Sequence, residues 1–293
     1  MWTASARIAV LAGMLGFTGA GLALSPDRSR GETTLQGPEV PVGNGSARMF
    51  LEQGPGGEPR AIGIALTEGA LNGLAERMNT TSRCFDKNRD GTIAHGECLG
   101  DYQAALAMPE ETSGLGLPVR WATVNWNPEG HLPPAPPVWS AAHFDFHFFM
   151  VEPALINGIR TGPCAEFIHC EDSVRATTPL PARHAPEDYI DVGAAVAAMG
   201  NHLVDARDPE LADPGRGFSH TFIYGAYDGK LIFLEPMVSR AFLSRRPQDC
   251  RPIRAPKAYA VAGYYPTSYC VRHDAASATY RVTLEGLVQR RAE

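Results

Sequence analysis

The sequence predicts an α+β fold, mainly antiparallel sheet or a half-open barrel, with a few short helices packed outside. Three observations carry that expectation. Alternating, aromatic-rich stretches such as AAHFDFHFFMVE (141–152) outnumber helical ones. Strand-like stretches follow one another without regular crossover helices, as in SHTFIYGAYDGKLIFLEPM (219–237), which turns at Asp228-Gly229. The 24 prolines and 30 glycines among 293 residues imply many turns and long loops. No internal repeat is visible.

Taken in order, MWTASAR and the uncharged IAVLAGMLGFTGAGLAL read as a secretory signal, residues 1–23, cut after Ala23. The apolar run is short and Gly/Ala-rich for a membrane span of ~20 residues, so no stable span is expected after cleavage. Residues 24–45 read as a flexible leader and 46–293 as a single α+β domain. ARMFLEQGPGGEPRAIGIAL (47–66) is a hairpin around a Gly/Pro turn. TEGALNGLAERM (67–78), capped by Thr67, places Leu71, Leu74 and Met78 on one face and predicts a helix. LGDYQAALAM (99–108) predicts a second. WATVNWNP (121–128) is a strand, followed by the Pro-rich GHLPPAPPVW. Residues 141–152 form the next strand, and 153–184 are irregular. APEDYIDVGAAVAAMGNHLVD (185–205) reads as partly helical around 193–199. VSRAFLSRR (238–246) is a short helix, and the tail holds two strands, in 258–274 and 279–288.

Net charge is -6 and no Lys/Arg block exceeds a pair, which argues against a nucleic-acid partner. Export places the protein in the periplasm or outside the cell, where an even number of cysteines favours disulfides. Pairing neighbours joins Cys84 to Cys98, Cys164 to Cys170 and Cys250 to Cys270, closing three short loops. No CxxC occurs, so thiolate zinc binding is not indicated.

DKNRDGTIAHGE (86–97) follows the twelve-residue calcium loop. Asp86, Asn88 and Asp90 offer oxygens at positions 1, 3 and 5, Thr92 a backbone carbonyl at 7, and Glu97 two oxygens at 12. Gly91 permits the sharp turn. Carboxylates at alternate positions wrap the six to eight hard oxygens that calcium (Ca2+) prefers. The loop resembles the EF-hand family, which implies calcium binding. It departs from that family in being unpaired, in the poor helix material NTTS before it, and in the cysteines at both ends. It reads as an insertion at about 71–106 that stiffens the structure.

In HFDFHFF, strand alternation puts His143, Asp145 and His147 on one face and Phe144, Phe146 and Phe148 on the other. One face builds a polar site and the other anchors it. Residues two apart lie ~6.6 Å apart and chelate easily, whereas His143 and His147, ~13 Å apart, share an ion only by leaning together. Further ligands must come from elsewhere. His202 is the first candidate, with Asp205 on the same helical face. His131 and His220 are lesser ones, and Glu235 lies on the late hairpin. His95, His169, His184 and His273 read as surface residues. Zinc (Zn2+), or another divalent transition metal, suits three imidazoles plus carboxylates. The bland alternative is a buried hydrogen-bonded network.

NWNPEGHLPPAPPVWSAAHFDFHFF, AMGNHLVD, FIYGAYDGKLIFLEPM and GYYPTSY resemble segments of a bacterial family of unknown function, represented structurally by a sigma-E-regulated protein of a thermophile. The likeness runs over roughly 46–290. It implies that His143, Asp145, His147, His202 and Asp205 belong to one polar site, and that the calcium loop is an addition to the pattern.

With a metal, Asp145, Asp205 or Glu235 is the candidate base, and a hydrolase or lyase acting on a small molecule is the expectation. No Gly-x-Ser-x-Gly, phosphate-binding loop or dinucleotide fingerprint appears. The competing reading is a non-catalytic envelope-stress or ligand-binding protein, with Trp121, Trp126, Trp139, Phe149, Tyr224 and Tyr227 lining a pocket. A third is a homo-oligomer stabilised by calcium.

Overall fold

In GSARMFLEQ, Ala47, Met49 and Leu51 point to one side and are buried. In HFDFHFF, Phe144, Phe146 and Phe148 do the same. The two sets share one core with Ile62, Ile64, Leu66, Val271, Val282 and Leu284. Two antiparallel sheets, each apolar on one face, therefore close on each other. The computed structural model describes residues 33–131, 137–213, 215 and 217–293. The expected signal at 1–23 lies outside them.

The first strands are β1 (Thr33–Gln36), β2 (Val40–Val42), β3 (Gly45–Gln53), β4 (Pro59–Thr67), β5 (Asn79–Cys84), β6 (Cys98–Gly100), β7 (Tyr102–Ala107), β8 (Trp121–Asn127) and β9 (His143–Phe149). There follow β10 (Thr161–Cys164), β11 (Tyr189–Val196), β12 (Gly200–Asp205), β13 (His220–Tyr227) and β14 (Lys230–Ser239). The last are β15 (Gln248–Pro252), β16 (Gly263–Tyr265), β17 (Ser268–Asp274), β18 (Thr279–Glu285) and β19 (Val288–Arg290). Among the described residues one seven-stranded sheet runs β1-β3-β4-β18-β17-β15 with β2 beside β3, a second runs β11-β12-β13-β14-β9-β8-β7, and β5-β6 and β16-β19 form two small pairs. The helices are short: α1 (Pro153–Asn157), α2 (Cys170–Ala176), α3 (Pro209–Ala212) and α4 (Arg240–Leu243). The sheet-dominated α+β expectation holds, with two stacked sheets in place of one half-open barrel. No helix among the described residues is long and apolar enough to cross a membrane.

Four local expectations need correction. Residues 33–45 of the supposed leader contain β1 and β2, both paired to β3. The helix over 67–78 shrinks to a 3-10 turn at Glu68–Leu71, because Gly73 takes φ +66° and the following chain is pinned in extended form. Trp126 Nε1 donates to the Ala75 carbonyl and the Met78 amide donates to Glu129. Residues 99–108 are strand: edge pairing of β7 along β8 overrides the helix propensity of an Ala-rich segment. Residues 193–199 form a bulged strand and turn, with Gly193 at φ +79° and Ala198 at φ +56°.

The three disulfides pair as expected, Cys84–Cys98, Cys164–Cys170 and Cys250–Cys270. The first is sterically natural because strands, not helices, flank the loop. Cys84 and Cys98 face each other in the β5–β6 pair with Cα atoms 3.9 Å apart.

Candidate metal centre

The reverse face of β9 carries the polar residues. His143, Asp145 and His147 are all buried there, with Thr123, Asn125 and Asn127 opposite them on β8. On the other side, Met237 of β14 pairs with Asp145 and Leu234 with Phe148, which brings Glu235 beside His147. His202 arrives from β12, next to β13. Across β13, Gly225 faces His202 in the register, and it leaves room for the Phe233 ring that packs against both His202 and His147.

The ligand atoms separate into two groups of three. His131, His143 and Asp145 form the first, and His147, His202 and Glu235 the second. In the first, His143 Nε2 stands 3.2 Å from His131 Nε2 and 3.2 Å from Asp145 Oδ1, and His131 Nε2 is 3.6 Å from Asp145 Oδ2. In the second, Glu235 Oε1 is 3.5 Å from His147 Nε2, and its Oε2 is 3.7 Å from His202 Nε2. Ligands bonded to zinc at 2.0–2.1 Å in a tetrahedron stand about 3.3 Å apart, so both groups have the size of a coordination shell.

The hydrogen bonds behind the rings fix their tautomers. His143 Nδ1 lies 2.6 Å from the Ala141 carbonyl and His202 Nδ1 3.0 Å from that of Ala194. A carbonyl only accepts, so Nδ1 carries the proton and Nε2 keeps its lone pair. His147 Nδ1 is 3.4 Å from Thr123 Oγ1, whose own hydroxyl donates to Asn125 Oδ1. Asn125 in turn donates to Asp101, which Arg83 holds, and Asn127 donates to Asp145 Oδ2 at 2.7 Å. Such outer partners orient the imidazoles of metal sites.

Burial lowers the pKa of His147 to about 3 and that of His131 to about 4, and depresses that of His202 as well. Burial also pushes the Asp145 carboxyl up, but His143 and His131 together outweigh it and hold it below the usual range. Burial, and then the nearby Asp145 charge, drive Glu235 well above its ordinary value. Asp145 Oδ1, His147 Nε2 and Glu235 Oε2 are buried without a hydrogen-bond partner. An unsatisfied buried polar atom costs about 1–3 kcal/mol. Asp145 Oδ1 belongs to the first group and His147 Nε2 and Glu235 Oε2 to the second, so each group leaves an opening that fits a cation.

The centre lies at the floor of a cleft of about 350 Å³ lined by His131, Asp145 and His202 among others. Two disulfide-closed loops form its rim: Gly96 and Cys98 from one, Ala165, Glu166 and Phe167 from the other. Lys87 ties the rims together, donating to the Ala165 carbonyl at 3.0 Å with its ammonium 4.5 Å from the centre of the Phe167 ring. Burial raises Glu166 to about 7 against the opposing pull of Lys87.

Of the residues expected here, His143, Asp145, His147, His202 and Glu235 come together, and His131 belongs with them. His143 does not lean toward His147; each takes different partners. Asp205 does not join: three residues from His202 on a strand, it faces the other way and pairs with Arg254. His220 also faces away, bonded to Tyr269 and Asp249. His273, expected at the surface, is buried against Glu68. Trp139 alone among the expected aromatics lines the cleft, while Trp126 and Tyr224 fill the core between the sheets. Sequence reasoning missed Thr123, Asn125 and Asn127, although their alternation in TVNWN was a visible cue. The Cys250–Cys270–Glu285 group is no metal site, because its sulfurs form a disulfide.

In the 86–97 loop, Asp86 accepts from the Arg89 and Gly91 amides, Asp90 from Thr92, and Glu97 from Lys87, Asn88 and Ala94. Gly91 takes φ +84° as the turn demands. Asn88 Oδ1 accepts from the Asp90 amide. The loop's own amides thus hold the carboxylates of Asp86, Asp90 and Glu97.

No family model matches the chain, and no curated protein or solved structure matches it.

Proposed function

We propose that this is an exported metal-dependent hydrolase acting on a small molecule, with a zinc-class ion held by His131, His143 and Asp145 at the cleft floor and calcium in the 86–97 loop. The observation that supports this best is the unpartnered Asp145 oxygen in a largely buried cluster where His143 turns a proton-free nitrogen inward. A bound divalent ion supplies Lewis-acid polarisation of the substrate and a lowered pKa for water. The chain does the rest. Asn127 holds Asp145 in place, and the Ala141 carbonyl holds His143. Glu166, on the cleft wall with a pKa near neutrality, accepts the proton of the attacking water. Trp139, Phe167, Met199, Ile223 and Met237 give the cleft an apolar wall, which suits a substrate carrying a hydrocarbon portion. The calcium loop, clamped by its disulfide, keeps one rim in position. Export is supported by the three disulfides.

The test is elemental analysis combined with hydrolysis of a panel of p-nitrophenyl esters and phosphate esters. Zinc-dependent turnover that a chelator removes and zinc restores is expected, and Asp86→Ala should lower calcium content while leaving zinc unchanged. Purified protein that takes up no transition metal overturns the reading. Stoichiometric zinc without turnover across the panel would replace it with the non-catalytic ligand-binding reading.

A further inference from the structure

Building on that reading, we infer that the chain holds two transition-metal ions, the second bound by His147, His202 and Glu235 beside the first. The argument is one of charge and lone pairs. Glu235 is almost completely buried in a β strand, and its ionic neighbours among the described residues are His147 and His202 alone. No lysine or arginine among the described residues forms an ion pair with it. An unpaired buried carboxylate is costly, and here it stands near a second one, Asp145.

The two imidazoles do not relieve the problem. His202 spends its ring proton on the Ala194 carbonyl, and His147 turns its Nδ1 toward the Thr123 hydroxyl. Each therefore presents a lone pair toward Glu235, at 3.5 and 3.7 Å, and neither closes a hydrogen bond with it. His147 Nε2 and Glu235 Oε2 are accordingly left without hydrogen-bond partners. A divalent cation between them takes all three groups as ligands. Two imidazoles and one carboxylate suit zinc or ferrous iron. The first group cannot supply that ion, because its own atoms converge on His143 Nε2, which belongs to the other end of β9. Asp145 and His147, two residues apart on one strand face, keep the two centres adjacent, with Cα atoms ~6.6 Å apart. His202 lines the cleft along with His131 and Asp145, so a substrate on its floor meets both centres.

The test is metal stoichiometry, read without reference to activity. The purified full chain is stripped with chelator, reloaded with zinc, dialysed and analysed, and stripped protein is titrated with cobalt while its visible absorption is followed. Two zinc per chain and a two-step cobalt titration are expected. His147→Ala and Glu235→Gln should each retain one zinc, and so should His143→Ala. Near-ultraviolet circular dichroism confirms that each variant is folded; should His147→Ala fail that check, the near-isosteric Glu235→Gln carries the comparison. One zinc in the wild type, unchanged in Glu235→Gln, overturns the second site and leaves the hydrolase reading standing. No zinc at all overturns both.

Discussion

One buried histidine and a cluster of them occupy opposite faces of one sheet. On the inner face His220 bridges the layers: its Nδ1 meets the Tyr269 hydroxyl at 3.0 Å and its Nε2 meets Asp249 at 2.9 Å. Both ring nitrogens have a polar partner, and Asp249 opens to solvent. On the outer face the cluster around His143 and His147 is as deeply buried, yet His147 Nε2 and one oxygen each of Asp145 and Glu235 have no hydrogen-bond partner. Burial alone therefore does not mark a functional histidine. What separates the two groups is satisfaction: a closed network stabilises the fold, and an open one waits for a ligand.

The comparison is broken most sharply at the outer cluster. His143→Ala should reduce metal-dependent hydrolysis at least about 100-fold, since it removes a ligand and not merely an outer partner, whose loss costs 10–100-fold. Metal-free stability should change little, because the alanine also removes a lone pair from a crowded set of acceptors. A variant with undiminished turnover would show that the outer cluster is as structural as the inner one. The inner counterpart is His220→Leu. It strands the Tyr269 hydroxyl in the core and should destabilise the protein by about 1–3 kcal/mol in urea unfolding, with zinc content and turnover unchanged. Loss of zinc in that variant would erase the distinction.

A finer probe is Thr123→Val, which keeps the shape of the side chain and removes the oxygen behind His147. Zinc affinity at the second centre should fall about tenfold, read by competition with a chromogenic chelator. An unaltered affinity would mean that the Thr123–Asn125–Asp101 chain does not orient the ring.

The polar face of β9 was legible because strand alternation is strict and local. His143, Asp145 and His147 announce one face, and the phenylalanines announce the core. The hairpin at Asp228-Gly229 and the neighbour pairing of cysteines were legible for the same local reason. The division into two groups was not, because it depends on strand order. Glu235 lies far from β9 in sequence and meets it only once β14 pairs with it, and His131, on the β8–β9 connection, folds back onto His143 once those two strands pair. Glu235 did leave a trace, as a lone carboxylate inside LIFLEPM. The error over Asp205 came from period: GAAVAAMGNHLVD has helical composition, but cross-strand pairing to β13 makes it a strand, and a three-residue spacing then reverses sides.

The smallest effect concerns pH and isolates the inner group. Burial, and then the Arg251 charge, hold His220 below the ordinary histidine value against the opposing pull of Asp249 and Glu210. The unfolded chain therefore binds more protons than the folded one between the folded pKa and about 6.5. The contribution to stability is complete above 6.5 and is lost as pH falls toward the folded value, with a slope of at most about 1.4 kcal/mol per pH unit. Asp249 is held low by His220, so its own contribution disappears only below about 3.8 and does not enter this window. The zinc-loaded protein is the form to use, because ligated His131, His147 and His202 do not take up protons there. Urea unfolding at pH 7.5 and 5.5 should show wild type losing more stability than His220→Leu. Equal losses would mean that His220 is not held neutral by its surroundings, and that the inner histidine is less tightly closed than its hydrogen bonds imply.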